Sequence, residues 1–181
     1  MAKKDNAEIV CKNIRMPEIW QILMDCGIDF KGKSLIDLGS GYGDMCLLAH
    51  QTKADLVWYV DKDGYKCEEF YHQRAIGKKI VIRNSDIEML EFDDRWDYIL
   101  CFSVLPYISQ PHQFFEKISK IRSTLILECQ YASDGPGFGD IEDDDDMKEW
   151  LSEYWNSCEP IGKTLVKDRQ KYRTIWVCKN D

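Results

Sequence analysis

Apolar residues along this chain fall into short blocks, and the spacing within the blocks switches between helical and strand periods. From Ala7 to Cys26, Ile9, Val10, Ile14, Ile19, Ile22 and Leu23 recur near helical spacing, with Pro17 marking a break or a second start and Gly27 the stop. Ser34 to Leu38 then forms a short apolar run ending in glycines, as expected of a central strand buried on both faces. Helix-like Asp44–Thr52, strand-like Leu56–Val60, helix-like Asp63–Ala75 and strand-like Ile80–Ile82 follow in strict alternation. The alternation continues through a strand over Trp96–Phe102, a helix over His112–Ile121 and a strand over Thr124–Cys129.

The stretch ASDGPGFGD, Ala132 to Asp140, is turn chemistry throughout and reads as a loop. Asp143 to Trp155 reads as a helix whose acidic first turn faces the positive end of its own dipole. Two last strands, Pro160–Val166 and Tyr172–Lys179, are separated only by a polar turn at Asp168 and Arg169, which leaves room for a hairpin and none for a helix. Alternating units require right-handed crossovers and a mainly parallel sheet. The expected fold is therefore α/β: a single Rossmann-like, doubly wound domain over 1–181, with a seven-stranded mixed sheet, the last strand antiparallel, and helices on both faces. Within it, 1–30 forms an N-terminal helical cap, 33–129 the cofactor-binding core, 131–146 a lid loop and 160–179 the C-terminal hairpin.

Composition narrows the function. No apolar run approaches the ~20 residues that span a bilayer, and Asp5, Asn6 and Glu8 stand where a signal peptide has its apolar segment, so a cytoplasmic protein without a membrane partner is expected. The eight cysteines are scattered with no C-x-x-C pair, which reads as reduced core or boundary thiols. With three histidines lacking ligand spacing, no metal site is expected. A net charge of −8 opposes a nucleic-acid partner and favours a small-molecule substrate. The one basic stretch, Lys163, Lys167, Arg169, Lys171, Arg173 and Lys179, reads as a solvated strand edge. Oligomeric state is not legible.

The chemistry concentrates in LIDLGSGYG, Leu35 to Gly43, where a strand runs into three alternating glycines that let a ligand approach bare backbone at a helix start. A dinucleotide loop has the pattern G-x-G-x-x-G; here the third glycine comes one position early and Asp44 stands in its place. An acid there repels pyrophosphate and suits the cationic ammonium and sulfonium of S-adenosylmethionine. Asp61, ending the next strand 24 residues after Asp37, is placed to accept from both ribose hydroxyls, and Asp86 follows the third strand. The carboxyl ends of these three strands line one crevice.

With LIDLGSGYG, YVDKD (Tyr59 to Asp63) and NSDIEMLEFDDRWDYILCFSVLPYI (Asn84 to Ile108) in this order, the chain resembles the class I S-adenosylmethionine-dependent methyltransferase superfamily over about Lys33 to Cys129. The resemblance implies S-adenosylmethionine as cofactor. It places Gly39, Ser40, Gly41 and Gly43 under the methionine part, Asp37 near the amino group, and Asp61 with Lys62 at the ribose. Asp86 would lie at the adenine amine with Ile87 beside the ring, and Phe102 and Ser103 on the passage to the methyl group.

The resemblance also implies an in-line displacement in which the protein aligns the reactants and excludes water, so a base is optional. Pro106 and Tyr107 stand where many small-molecule members carry a histidine. Tyr107, Tyr131 and Glu128 are the catalytic candidates, each equally readable as packing or structural. His50 and His72 lie on helices away from the crevice, and His112 reads as an exposed residue before a helix. Two other functions remain open: a methyltransferase-like fold that only binds or scaffolds, and a nicotinamide-dependent oxidoreductase.

Overall fold

The computed structural model describes residues 9–93, 95–131, 141–166 and 170–180. Seven strands form one sheet: β1 (Ser34–Leu38), β2 (Leu56–Asp61), β3 (Ile80–Asn84), β4 (Tyr98–Phe102), β5 (Thr124–Glu128), β6 (Ser157–Val166) and β7 (Lys171–Lys179). Their order is β3-β2-β1-β4-β5-β7-β6. The first five are parallel, and β7 runs antiparallel between β5 and β6. The helices are α1 (Met16–Asp25), α2 (Asp44–Gln51), α3 (Gly64–Phe70), α4 (Pro111–Ser119) and α5 (Asp144–Ser152).

Each sheet face carries its own apolar layer. Alternation along β1 sends Leu35 towards the layer built with α1, α2 and α3, and Ile36 and Leu38 towards the one built with α4 and α5. Because β1 and β4 lie at the centre with helices on both sides, their inward residues read as unbroken apolar runs. The expected doubly wound mixed sheet is the observed one.

Several boundaries differ from the sequence reading, and three of them change the layout of an element. The N-terminal helix begins at Met16 with Pro17 in its first turn, because proline has no amide proton to donate and is tolerated only there; residues 9–15 are therefore not helical. The third helix gives way to a π-helical turn over Tyr71–Ala75. Strand β6 starts at Ser157, upstream of Pro160, because as the edge strand it pairs only with β7, and its register shifts between Pro160 and Gly162. The loop 132–140, which holds most of the expected lid, lies outside the described residues.

Candidate active site

The turn between β1 and α2 is built on backbone that only glycine adopts easily. Gly39, Gly41 and Gly43 have φ of +68°, +53° and +69°. A Cβ on Gly39 would stand 2.5 Å from Val104 Cγ2, and one on Gly43 would stand 2.3 Å from the Phe70 ring. Ser40 locks the turn to the neighbouring strand: its amide donates to the Val60 carbonyl at 2.9 Å, and its Oγ accepts from the Val60 amide at 2.9 Å. The Tyr59 hydroxyl donates to the Gly41 carbonyl at 2.7 Å.

Asp61 closes this frame. One carboxylate oxygen accepts from the Gly41 amide at 2.9 Å and the other from the Asp63 amide at 2.8 Å. Asp37 is 3% exposed, and burial pushes its carboxyl up to about 7; the Cys46 thiol and the Ser40 hydroxyl pull the other way, and the charges of Asp61 and Asp44 add to the rise. Asp86 caps the short turn Ile87–Met89 by accepting from the Glu88 amide at 3.1 Å, and Lys62 Nζ lies 3.8 Å from its other oxygen.

These groups surround one cavity of about 490 Å³. Asp37, Gly39, Ser40, Gly41, Asp61, Lys62, Asp86, Ile87, Phe102, Ser103 and Tyr107 all line it, while Gly43 lies behind the turn against Phe70. Its wall is rich in carboxylates and its floor is bare glycine backbone, a donor set that fits a ligand with cationic and hydroxyl groups and offers little to pyrophosphate.

Two catalytic candidates sit elsewhere. Glu128 is fully buried beneath Ser103, whose hydroxyl donates to it at 2.5 Å; the Thr164 hydroxyl donates to it at 2.8 Å, and Arg15 and Arg173 form ion pairs with it. Ser103 reaches this network through a backbone with φ of +58°. Tyr131, also buried, donates its hydroxyl to Asp144, which further accepts from Thr174 and pairs with Lys163 at 2.7 Å. Neither Glu128 nor Tyr131 lines the cavity. These pairs also break up the basic stretch: Arg173 pairs with buried Glu128 and Lys163 with half-buried Asp144, and Lys167 and Arg169 lie outside the described residues.

Sequence reading missed the strap that crosses the glycine turn. Asp44 is 2% exposed and accepts from the backbone amides of Lys12 (3.1 Å) and Asn13 (2.8 Å). Arg74 neutralises Asp44 at 2.7 Å and also donates to the carbonyls of Tyr42 and Val10 at 2.6 and 3.1 Å. Asp44 thus holds segment 9–15 in place, and Asn13 and Met16 come to the cavity wall. Glu88 links the two loops at the other side by accepting from the amides of Ser109 and Gln110; burial opposes its ionisation, but these hydrogen bonds outweigh it and lower its pKa. No spacing rule joins Asp44 to Arg74; an acid in place of the third glycine was the only signal.

Residues 36–123, just under half of the chain, match the family described as "Methyltransferase domain". Magnesium protoporphyrin IX methyltransferase from Synechocystis PCC 6803, solved with bound S-adenosylhomocysteine, superposes with a TM-score of 0.69 at 18% identity over 91% of this chain and 81% of that one. The bifunctional kinase-methyltransferase WbdD gives 0.71 at 17% over 94% of this chain and 40% of its own. An S-adenosylmethionine-dependent methyltransferase from Mesorhizobium loti gives 0.54 at 22% over 62% and 52%. No curated protein matches the sequence. Residues 36–123 thus carry the methyltransferase-domain match, the neighbours share the fold, and the cavity lined by Asp37, Asp61 and Asp86 fits S-adenosylmethionine. Among the described residues, no helix is long and apolar enough to cross a membrane.

Proposed function

We propose that this chain is a class I S-adenosylmethionine-dependent methyltransferase that acts on a small-molecule acceptor by direct in-line transfer, in the cavity between the glycine turn and Tyr107. The carrying observation is the cavity itself: about 490 Å³, within the range of small-molecule sites, with carboxylates along one wall and Phe102, Ser103 and Tyr107 along another. The net charge of −8 supports the same reading, since a polynucleotide would be held against it. So does the Synechocystis neighbour, whose name specifies a small-molecule substrate.

When bound, S-adenosylmethionine supplies an electrophilic methyl group on a sulfonium. Gly39, Ser40 and Gly41 form the floor for its methionine part, and Asp37 offers a carboxylate to the ammonium. Asp61, already fixed by two amides, would accept from the ribose hydroxyls with Lys62 alongside, and Asp86 with Ile87 would hold the adenine. Gly43 keeps the turn closed against Phe70. Phe102 and Ser103 would align the acceptor with the methyl carbon, and Tyr107, 72% exposed, lines the same cavity. Glu128 is neutralised by two arginines, which suits it to holding Ser103 and not to taking a proton.

The test is transfer of labelled methyl from S-adenosylmethionine into an extract separated by size. Label is expected in the low-molecular-weight fraction; label recovered only in RNA or protein would overturn the small acceptor.

A further inference from the structure

Cys158 and Cys178 stand directly opposite each other on antiparallel β6 and β7. Cross-strand partners hold their Cα atoms about 4.5–5.5 Å apart, inside the roughly 4.4–6.8 Å that a disulfide spans. Both side chains enter the apolar layer beneath α5. Among the described strands, no other register pair brings two cysteines together.

Reaching it requires only local opening, since Cys158 itself is buried, 5% exposed. Strand β6 is the sheet edge, and Cys158 is its second residue, between exposed Ser157 and Glu159, where fraying of the strand end admits a small reagent. The Cys178 thiol beside it lowers the Cys158 pKa against the effect of burial, with help from Lys148, while Cys158 and burial raise Cys178. A thiolate is the attacking species in disulfide exchange, and Cys158, 5% exposed against 0% for Cys178, is the one a reagent meets first.

We propose that Cys158 and Cys178 are a redox modification site that closes to an intramolecular disulfide on reaction with a low-molecular-weight disulfide such as oxidised glutathione. The Cys158 thiolate attacks one sulfur of the reagent, forming a mixed disulfide and expelling one thiolate. Cys178, deprotonated as it reacts, attacks the Cys158 sulfur and expels the second. Two protein thiols are oxidised, one small disulfide is reduced to two thiols, and no other reactant is needed. The bond clips the open end of the β6–β7 hairpin, whose other end carries Thr164 and Arg173 to Glu128.

The experiment treats the folded full-length chain, carrying Cys26→Ser to remove the exposed thiol, with oxidised glutathione, then maps non-reduced peptides. The expected result is a Cys158–Cys178 cross-linked peptide, two thiols fewer per chain, and a melting temperature higher by about 5 °C that returns on reduction. Cys158→Ser should keep its circular dichroism and lose both the cross-link and the shift; Cys178→Ala serves the same purpose if that variant does not fold. A folded protein with no 158–178 peptide, or one cross-linked through other cysteines, would overturn the proposal.

Discussion

The Asp61 carboxylate accepts the amide proton of Gly41 at 2.9 Å, so the acid at the end of β2 and the bare backbone after β1 form one rigid unit. Affinity for the cofactor and order in the glycine turn are therefore coupled. Asp61→Ala removes the partner of two amides together with the proposed ribose contact. Affinity for S-adenosylhomocysteine should fall by about 1.5–3 kcal/mol, roughly ten- to hundredfold, by titration calorimetry. Unchanged affinity in a variant with native circular dichroism would reduce Asp61 to a structural tie.

The three glycines should differ in their tolerance of a methyl group. At Gly43 an alanine Cβ would meet the aromatic ring of Phe70 at 2.3 Å, whereas at Gly41 it meets nothing nearer than a carbonyl oxygen at 4.0 Å. Both pay the left-handed backbone penalty, but only Gly43→Ala must also displace a buried ring. It should lose about 2 kcal/mol more stability than Gly41→Ala in denaturant titration. Equal losses would mean that Phe70 moves freely.

Asp37 makes cofactor binding pH-dependent. Its carboxyl is protonated below about 7 because it is buried, and a bound ammonium stabilises the charged form, so binding expels a proton. Affinity for S-adenosylmethionine should rise between pH 6 and 7, by up to about tenfold per unit, and level off above pH 7. Stability of the free protein runs the other way. The folded carboxyl is raised above its unfolded value, so this group's contribution is full near pH 4 and is lost as the pH rises to about 7. Asp37→Asn should flatten both profiles, read by calorimetry and thermal melts; a variant with the parent's slopes would assign the titration to another group.

The strap over the glycine turn depends on a buried ion pair. Arg74→Ala leaves the Asp44 charge, 2% exposed, without its guanidinium. The expected loss is about 3–5 kcal/mol, with faster proteolysis in segment 9–15. The double variant Asp44→Asn/Arg74→Met should recover part of that loss, because the uncompensated charge is gone. A double variant no more stable than Arg74→Ala would show that shape, and not charge, holds the strap.

Local signals made the sheet and half of the cavity legible. The run Leu35 to Gly43 announces a central strand and its turn because a strand buried on both faces is continuously apolar and because left-handed backbone calls for glycine. Asp61 and Asp86 were found through the spacing of consecutive strands, which the crossover geometry sets. What escaped depends on contacts remote in sequence. The Asp44–Arg74 pair joins two elements with no shared motif, and Glu128 is held by Arg15, more than a hundred positions away, so nothing nearby reveals that it is neutralised. Pro17 was read as either a break or a second start; it stands in the first turn of the helix, a choice the apolar period over Ile9 to Leu23 could not decide.

Titration calorimetry of the full chain with S-adenosylmethionine, S-adenosylhomocysteine and NADH in parallel tests the central claim most directly. The carboxylate-lined cavity predicts micromolar-range binding of the first two, weakened together by Asp61→Ala, and no heat with NADH. Binding of NADH with no signal from either sulfur compound would contradict it.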